Sequence, residues 1–102
     1  MQYKTLEKKV IQWGLDRGIV QHGKAISQAI KTLEETAELL DAVNKKDTHE
    51  TMDAVGDIMV TLIILCEVIG TDALTCLDQA YNVIKDRTGY LTAEGAFIKD
   101  RS

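Results

Sequence analysis

The chain has 102 residues, no proline and five aromatics; 45% of it is apolar and 27% charged, with 12 Lys+Arg against 16 Asp+Glu for a formal charge of −4. That length suits one domain, residues 1–102, and the apolar content at this charge is too high for a disordered chain, while seven glycines and no proline exclude collagen-like and low-complexity architectures. Only three Lys/Arg lie between Ala25 and Asp57, so there is no broad basic surface to neutralise phosphates and nucleic acid is not an expected partner.

The opening MQYKTLEKKVIQWG is interrupted by charge every few residues and lacks the unbroken apolar core of a secretory signal, so the expected compartment is the cytoplasm. Up to Gly89 apolar residues recur at intervals of three and four and strict alternation is almost absent, the mark of an all-α chain. Leu6, Val10, Ile11 and Trp13 predict a first helix from about Tyr3 to Arg17, stopped by Gly18. Ile26, Ile30, Leu33, Ala37 and Leu40 predict a second from about Lys24 to Asn44, followed by turn residues Asn44 to Asp47. Met52, Val55, Met59, Leu62, Cys66 and Ile69 predict a third from about Thr48 to Ile69, closed by Gly70. Its apolar stretch, Ile58 to Ile69, is too short for a bilayer and contains Glu67, so no membrane association is expected. Thr71 or Asp72 can cap a fourth helix, carried by Leu74, Leu77, Tyr81 and Ile84 to about Lys85. The tail GYLTAEGAFIKDRS reads as a loose hairpin of two short extended pieces turning at Ala93-Glu94-Gly95. Short inter-helix turns favour antiparallel neighbours in a four-helix bundle. Cys66 and Cys76 sit among apolar residues without zinc or C-x-x-C spacing and read as buried free thiols.

The carboxylates carry the chemistry. The third helix is apolar on nearly every side from Ala54 to Ile69, which predicts that it is buried, and Asp57 lies inside that run with Asp53 one turn before it. A buried carboxylate without a cation or strong donor costs several kcal/mol. On the second helix Glu34, Glu35, Glu38 and Asp41 stand at spacings of three and four. At about 4 Å and an effective dielectric near 20, each like-charge pair costs roughly 4 kcal/mol, a large part of the roughly 5–15 kcal/mol that holds a domain together. This acidic run alone also reads as a solvated helix face; Asp57 turns the balance toward a metal site in which Glu35, Glu38, Asp53 and Asp57 converge. Hard oxygen donors without sulfur or imidazole suit Mg²⁺, with Mn²⁺ as substitute. A di-iron bundle needs Glu-x-x-His on two helices, and neither His22 nor His49 has a glutamate three residues earlier.

EETAEL at 34–39 followed by DAVGDIMVTL at 53–62 resembles the paired motifs, E-E-x-x-E and E-x-x-D, of the all-α MazG-like nucleoside triphosphate pyrophosphohydrolases of phages and bacteria. WGLDRGI at 13–19, QAIKTLEE at 28–35, AYNVIKDRTGY at 80–90 and GAFIKD at 95–100 extend the similarity over most of the chain. Glu34, Glu35 and Glu38 match the first motif in full; Asp57 takes the Asp position of the second, whose Glu is replaced by Ala54, with Asp53 as the substitute and Glu50-x-x-Asp53 as a lesser register.

The resemblance implies hydrolysis of nucleoside or deoxynucleoside triphosphates to the monophosphate and pyrophosphate. It implies Glu35, Glu38 and Asp57 as Mg²⁺ ligands, Asp53 as fourth ligand or water-orienting base, and Glu34 as the group activating water, with Glu34 and Asp53 able to exchange roles. Lys31, Lys85 and Arg87 are candidates for the phosphates, each also readable as a solvated surface cation. Trp13 is a candidate for stacking on a base, or a core residue, and Asn82 for a base edge. Apolar residues on several faces of so small a unit predict a homo-oligomer, a dimer or tetramer by the same resemblance. The rival reading is a non-catalytic helical module for nucleotide sensing or interaction, which the Ala54 departure supports.

Overall fold

The computed structural model describes residues 1–100. Its elements run α1 (Tyr3–Asp16), α2 (Ile19–His22), α3 (Ala25–Asn44), α4 (Thr48–Val68), α5 (Ala73–Ile84), β1 (Gly89–Leu91) and β2 (Phe97–Lys99). The four expected helices are α1, α3, α4 and α5, with ends within one residue or so of those predicted. Local chemistry sets those ends: Asp47 accepts from the Glu50 amide at 3.0 Å to start α4, and Asp72 accepts from the Thr75 amide at 2.8 Å to start α5. The one correction to the list of elements is α2, and the tail folds as the expected hairpin. The single turn α2 is too short to leave a periodicity in the sequence. The tail is an antiparallel hairpin pairing Gly89 with Lys99, Tyr90 with Ile98 and Leu91 with Phe97, its turn held by Thr92 N–H to Ala96 O at 2.7 Å. Arg101 and Ser102, the end of the expected tail, lie outside the described residues.

The four-helix bundle is also corrected. Helix α4 is the hub: α3 packs along it as an antiparallel partner, α1 and α2 lie against another side, and among the described residues α5 meets only α4. Among the described residues α1 and α3 do not pack on each other, and the hairpin packs on no helix. The radius of gyration is 16.0 Å, against about 13 Å for a compact domain of this length. No single described helix is long and apolar enough to cross a membrane; α4 and α5 together reach the required length and composition only through a bend of 101°.

Which faces pack differs from the periodicity argument. Helix α3 turns Gln28, Thr32, Glu35, Leu39 and Ala42 toward α4, all buried or half-buried, and Thr32 Oγ1 meets Thr61 Oγ1 across the seam at 2.8 Å. The stripe expected in the core points outward, with Leu33 71% and Leu40 72% exposed and Ile26 and Ile30 also open. Helix α4 likewise buries Ala54, Thr61, Ile63, Ile64 and Cys66 and exposes Met52, Val55, Met59 and Leu62. Leu74, Leu77, Tyr81 and Ile84 of α5 are exposed as well. On α1 the buried residues are Glu7 and Gly14 rather than Leu6 or Trp13. The Glu7 Oε2 has no hydrogen-bond partner, and burial together with Glu7 pushes the neighbouring Tyr3 phenol up to about 12.

The α1–α4 contact depends on a missing side chain. A Cβ at Gly14 would stand 2.5 Å from Ile64 Cδ1 and 3.2 Å from Val20 Cγ2, so a side chain there would force the buried Ile64 out of its place. Gly14→Val should therefore separate α1 from α4 and destabilise the protein by about 2 kcal/mol or more, measured by denaturant unfolding; unchanged stability would mean that this contact does not hold the two helices together.

Candidate functional site

The seam between α3 and α4 brings most of the expected acidic residues to two adjoining cavities. The first, about 350 Å³, is lined by Glu38, Asp41, Ala42 and Lys45 from the α3 side and by Glu50, Asp53, Ala54 and Asp57 from α4. Five carboxylates thus face one ammonium, and Lys45 is already paired with Asp41 at 2.9 Å. The second, about 260 Å³, is lined by Trp13, Ile19, Gln28, Lys31, Glu35, Asp57, Val60, Thr61 and Ile64. Asp57 belongs to both walls. The turn 45–47 fixes this arrangement, because it folds α3 back on α4 so that the second half of one helix faces the first half of the other.

Asp57 is exposed, not buried. The expectation failed on its premise: α4 is apolar nearly all round, but within one chain it is covered on part of its circumference only. Of the acids at the seam the most enclosed is instead Glu35, half-buried as a residue and with a fully buried Oε2 that has no hydrogen-bond partner. Its carboxyl is raised above the ordinary glutamate range, first by hydrogen bonding with the Glu38 side chain, then by burial and by the negative charges of Glu38 and Asp57, while Lys31 pulls the other way. Glu35, Glu38 and Asp57 therefore feel one another directly.

Asp53 lies on the wall of the first cavity and faces His49, whose Nε2 is 3.5 Å from Asp53 Oδ2. Glu50, the other half of the lesser register, lines the same wall. Among the described residues no three His, Cys, Asp or Glu side chains stand grouped closely enough to clasp one ion as they are. What the seam does offer a hard cation is a set of carboxylate oxygens, one of them buried and unpaired, under mutual repulsion; the donor chemistry fits Mg²⁺ or Mn²⁺.

The remaining candidates divide. Lys31 stands beside Glu35 on the second cavity. Trp13 is 42% exposed and lines that cavity rather than filling the core, and the Arg17 guanidinium stacks over its ring at 4.6 Å while donating to Trp13 O at 3.1 Å. Glu34 is exposed and lines neither cavity; the same holds for Asn82, Lys85 and Arg87, on α5 and just beyond it. Gln28 and Thr61 were missed. Both sit on the second cavity, and the only sequence signal was that each lies one or two turns from an acidic motif, at a polar position facing the seam.

The model of the MazG nucleotide pyrophosphohydrolase domain matches residues 24–88, from the start of α3 through α5, including both acidic motifs. An uncharacterised 18.2 kDa protein encoded in the rep–hol intergenic region of Haemophilus phage HP1 is 34% identical over 64 residues, 63% of this chain and 39% of that protein. The chain thus spans well under two thirds of the length of that curated relative. No solved structure matches. With the family model covering more than half of its length and both acidic motifs inside the match, the chain belongs to the MazG nucleotide pyrophosphohydrolase domain family.

Proposed function

We propose that this protein hydrolyses nucleoside or deoxynucleoside triphosphates to the monophosphate and pyrophosphate in a Mg²⁺-dependent reaction, with Mn²⁺ as a possible substitute. The observation that carries this reading is the buried, unpartnered Oε2 of Glu35 at a seam where Glu38 and Asp57 raise its carboxyl further. Such a group is destabilising until a cation or proton reaches it.

Glu35, Glu38 and Asp57 would hold the metal, with Asp53 either as a fourth ligand or as the base. When bound, Mg²⁺ supplies the positive charge that lets a triphosphate approach these carboxylates and that acidifies water. In the reaction, a water oxygen bonds to the α-phosphorus, the bond from that phosphorus to the α–β bridging oxygen breaks, pyrophosphate leaves, and a carboxylate takes the water proton. Of the two candidates for that proton, Asp53 is favoured over Glu34 because it lines the same cavity as Glu38 and Asp57. The second cavity suits the rest of the substrate: Lys31 for phosphate charge, Trp13 for a base face, and Gln28 for a base edge. Purified protein with Mg²⁺ and a panel of NTPs and dNTPs should release pyrophosphate and monophosphate, and Asp57→Ala or Glu38→Ala should lower kcat/KM by at least about two orders of magnitude. Orthophosphate as the sole inorganic product would refute the assignment.

Carboxylate repulsion makes a second, activity-independent expectation. A group whose carboxyl is raised in the folded state loses stability as pH rises from its unfolded value through its folded one, and the loss is complete above that window. At neutral pH in EDTA, Glu35→Gln should therefore melt above the wild type. Added Mg²⁺ should raise the wild-type melting temperature in proportion to the logarithm of its concentration above Kd and leave Glu35→Gln nearly unmoved. A wild type indifferent to Mg²⁺ would point to a solvated acidic face. A melt that responds to Mg²⁺ without turnover would favour the rival reading, a nucleotide-sensing or interaction module, for which Ala54, buried at the first cavity where the family motif has Glu, is the supporting feature.

The active form is proposed to be a homodimer or homotetramer. The single chain exposes 7861 Å², whereas a folded monomer of 11.3 kDa exposes about 5,700 Å². The excess is of the size that each partner buries in an obligate dimer. The outward stripes of α3, α4 and α5 supply its apolar core, and α5 of a neighbouring copy would bring Asn82, Lys85 and Arg87 to the triphosphate. Leu40→Glu should convert the assembly to smaller species in sedimentation velocity and reduce activity with it; an unaltered sedimentation coefficient equal to that of a monomer in both proteins would remove the oligomer from the proposal.

A further inference from the structure

Helix α5 is joined to the rest of the chain through one elbow, and two thiols face each other across it. Cys66, buried near the end of α4, and Cys76, exposed in the first turn of α5, have their Sγ atoms 3.7 Å apart and are both free. The backbone on either side is fixed. Gly70, at φ 85°, takes the left-handed conformation that ends α4, while the Thr71 amide returns to Cys66 O at 2.8 Å. Asp72 then starts α5, its carboxylate accepting from both the amide and the hydroxyl of Thr75. Because α5 packs on no described element except α4, the direction of α5 is set at this joint.

We propose that Cys66 and Cys76 form an oxidative modification site: the pair closes to an intrachain disulfide in the presence of a small disulfide oxidant such as oxidised glutathione, and so staples α5 to α4. Closure requires the sulfurs to approach by about 1.7 Å to reach bonding distance, a shift within reach of a rotamer change at exposed Cys76 and a small flexing of α5. The steps balance as thiol–disulfide exchange. The Cys76 thiolate attacks one sulfur of oxidised glutathione, forming a mixed disulfide and releasing one glutathione. The Cys66 thiolate then attacks Cys76 Sγ and expels the second glutathione. Two protein thiols are oxidised by two electrons, and two molecules of glutathione carry away the electrons and protons. Burial, contact with Cys76 and the nearby charges of Asp72 and Glu67 push the Cys66 thiol up to about 11, so the second step sets the rate. Neither cysteine lines the acidic seam, and the inference is independent of the proposed reaction.

The test uses the whole, reduced protein incubated with oxidised glutathione, quenched with acid, alkylated under denaturing conditions and weighed intact. The expected product has lost two hydrogens, takes up no alkylating agent, yields one cross-linked peptide pair containing Cys66 and Cys76, melts several degrees above the reduced form, and reverts with dithiothreitol. Cys66→Ser should stop at a glutathione adduct on Cys76, and Cys76→Ser should keep one alkylatable thiol and gain no cross-link. A wild-type protein that retains a stable glutathione adduct on Cys76 with Cys66 still alkylatable, or that forms covalent dimers through Cys76, would overturn the proposal; these wild-type outcomes decide it even where a variant fails to fold.

Discussion

The structure depends on which side of α3 faces α4. Helix α3 carries two usable faces, an apolar stripe through Ile26, Ile30, Leu33 and Leu40 and a mixed one through Gln28, Thr32, Glu35, Leu39 and Ala42, and the second packs within the chain. The seam is held by small and polar residues, the buried Ala42 and Ala54 and the hydroxyl pair of Thr32 and Thr61. These lie within one turn or so of Glu35, Glu38 and Asp57. Repulsion among the carboxylates is thus opposed by contacts that also keep the acids in register. Stability and site are set by the same few residues.

Turning the acidic face inward leaves the apolar stripe of α3 outside, and with α5 meeting α4 alone this accounts for the large radius of gyration and the partial cover of α4. A hub helix that is hydrophobic all round needs neighbours on every side. One chain provides α3, α1, α2 and, near its end, α5; the remainder of the circumference is open, which is the ground for the proposed assembly. In the proposed assembly association and the pocket would be linked, since α3 and α4, whose outer faces would meet a partner, carry the acids on their inner faces.

Much of this was legible in the sequence because it is local. Helix extents follow from three-and-four spacing, Asp47 and Asp72 are ordinary caps, and the turn at Ala93-Glu94-Gly95 forecasts the hairpin. The convergence of Glu38, Asp53 and Asp57 on one wall follows from the short turn between two long helices. What was not legible is nonlocal. Periodicity ranks faces by hydrophobicity and assumes that the most apolar one packs inside the chain; in a chain with exposed apolar stripes that assumption points to the wrong face. The same error placed Asp57 in the interior and left Trp13 undecided between core and pocket, whereas it forms a cavity wall beneath Arg17. Buried Glu7 gave no signal at all, because its neighbours in sequence, Leu6 and Lys8, read as an ordinary amphipathic surface.

The ribbon after α5 leads further. Strands of three residues each, paired only with one another and resting on no helix, lack the burial that makes two-stranded structures persist in water. Both outer rims of the ribbon are left with backbone groups that a neighbouring strand can use. The amide protons of this segment would exchange with solvent far sooner than those of α4, and slowing of that exchange on self-association would identify the tail as the part of the chain that gains order from company.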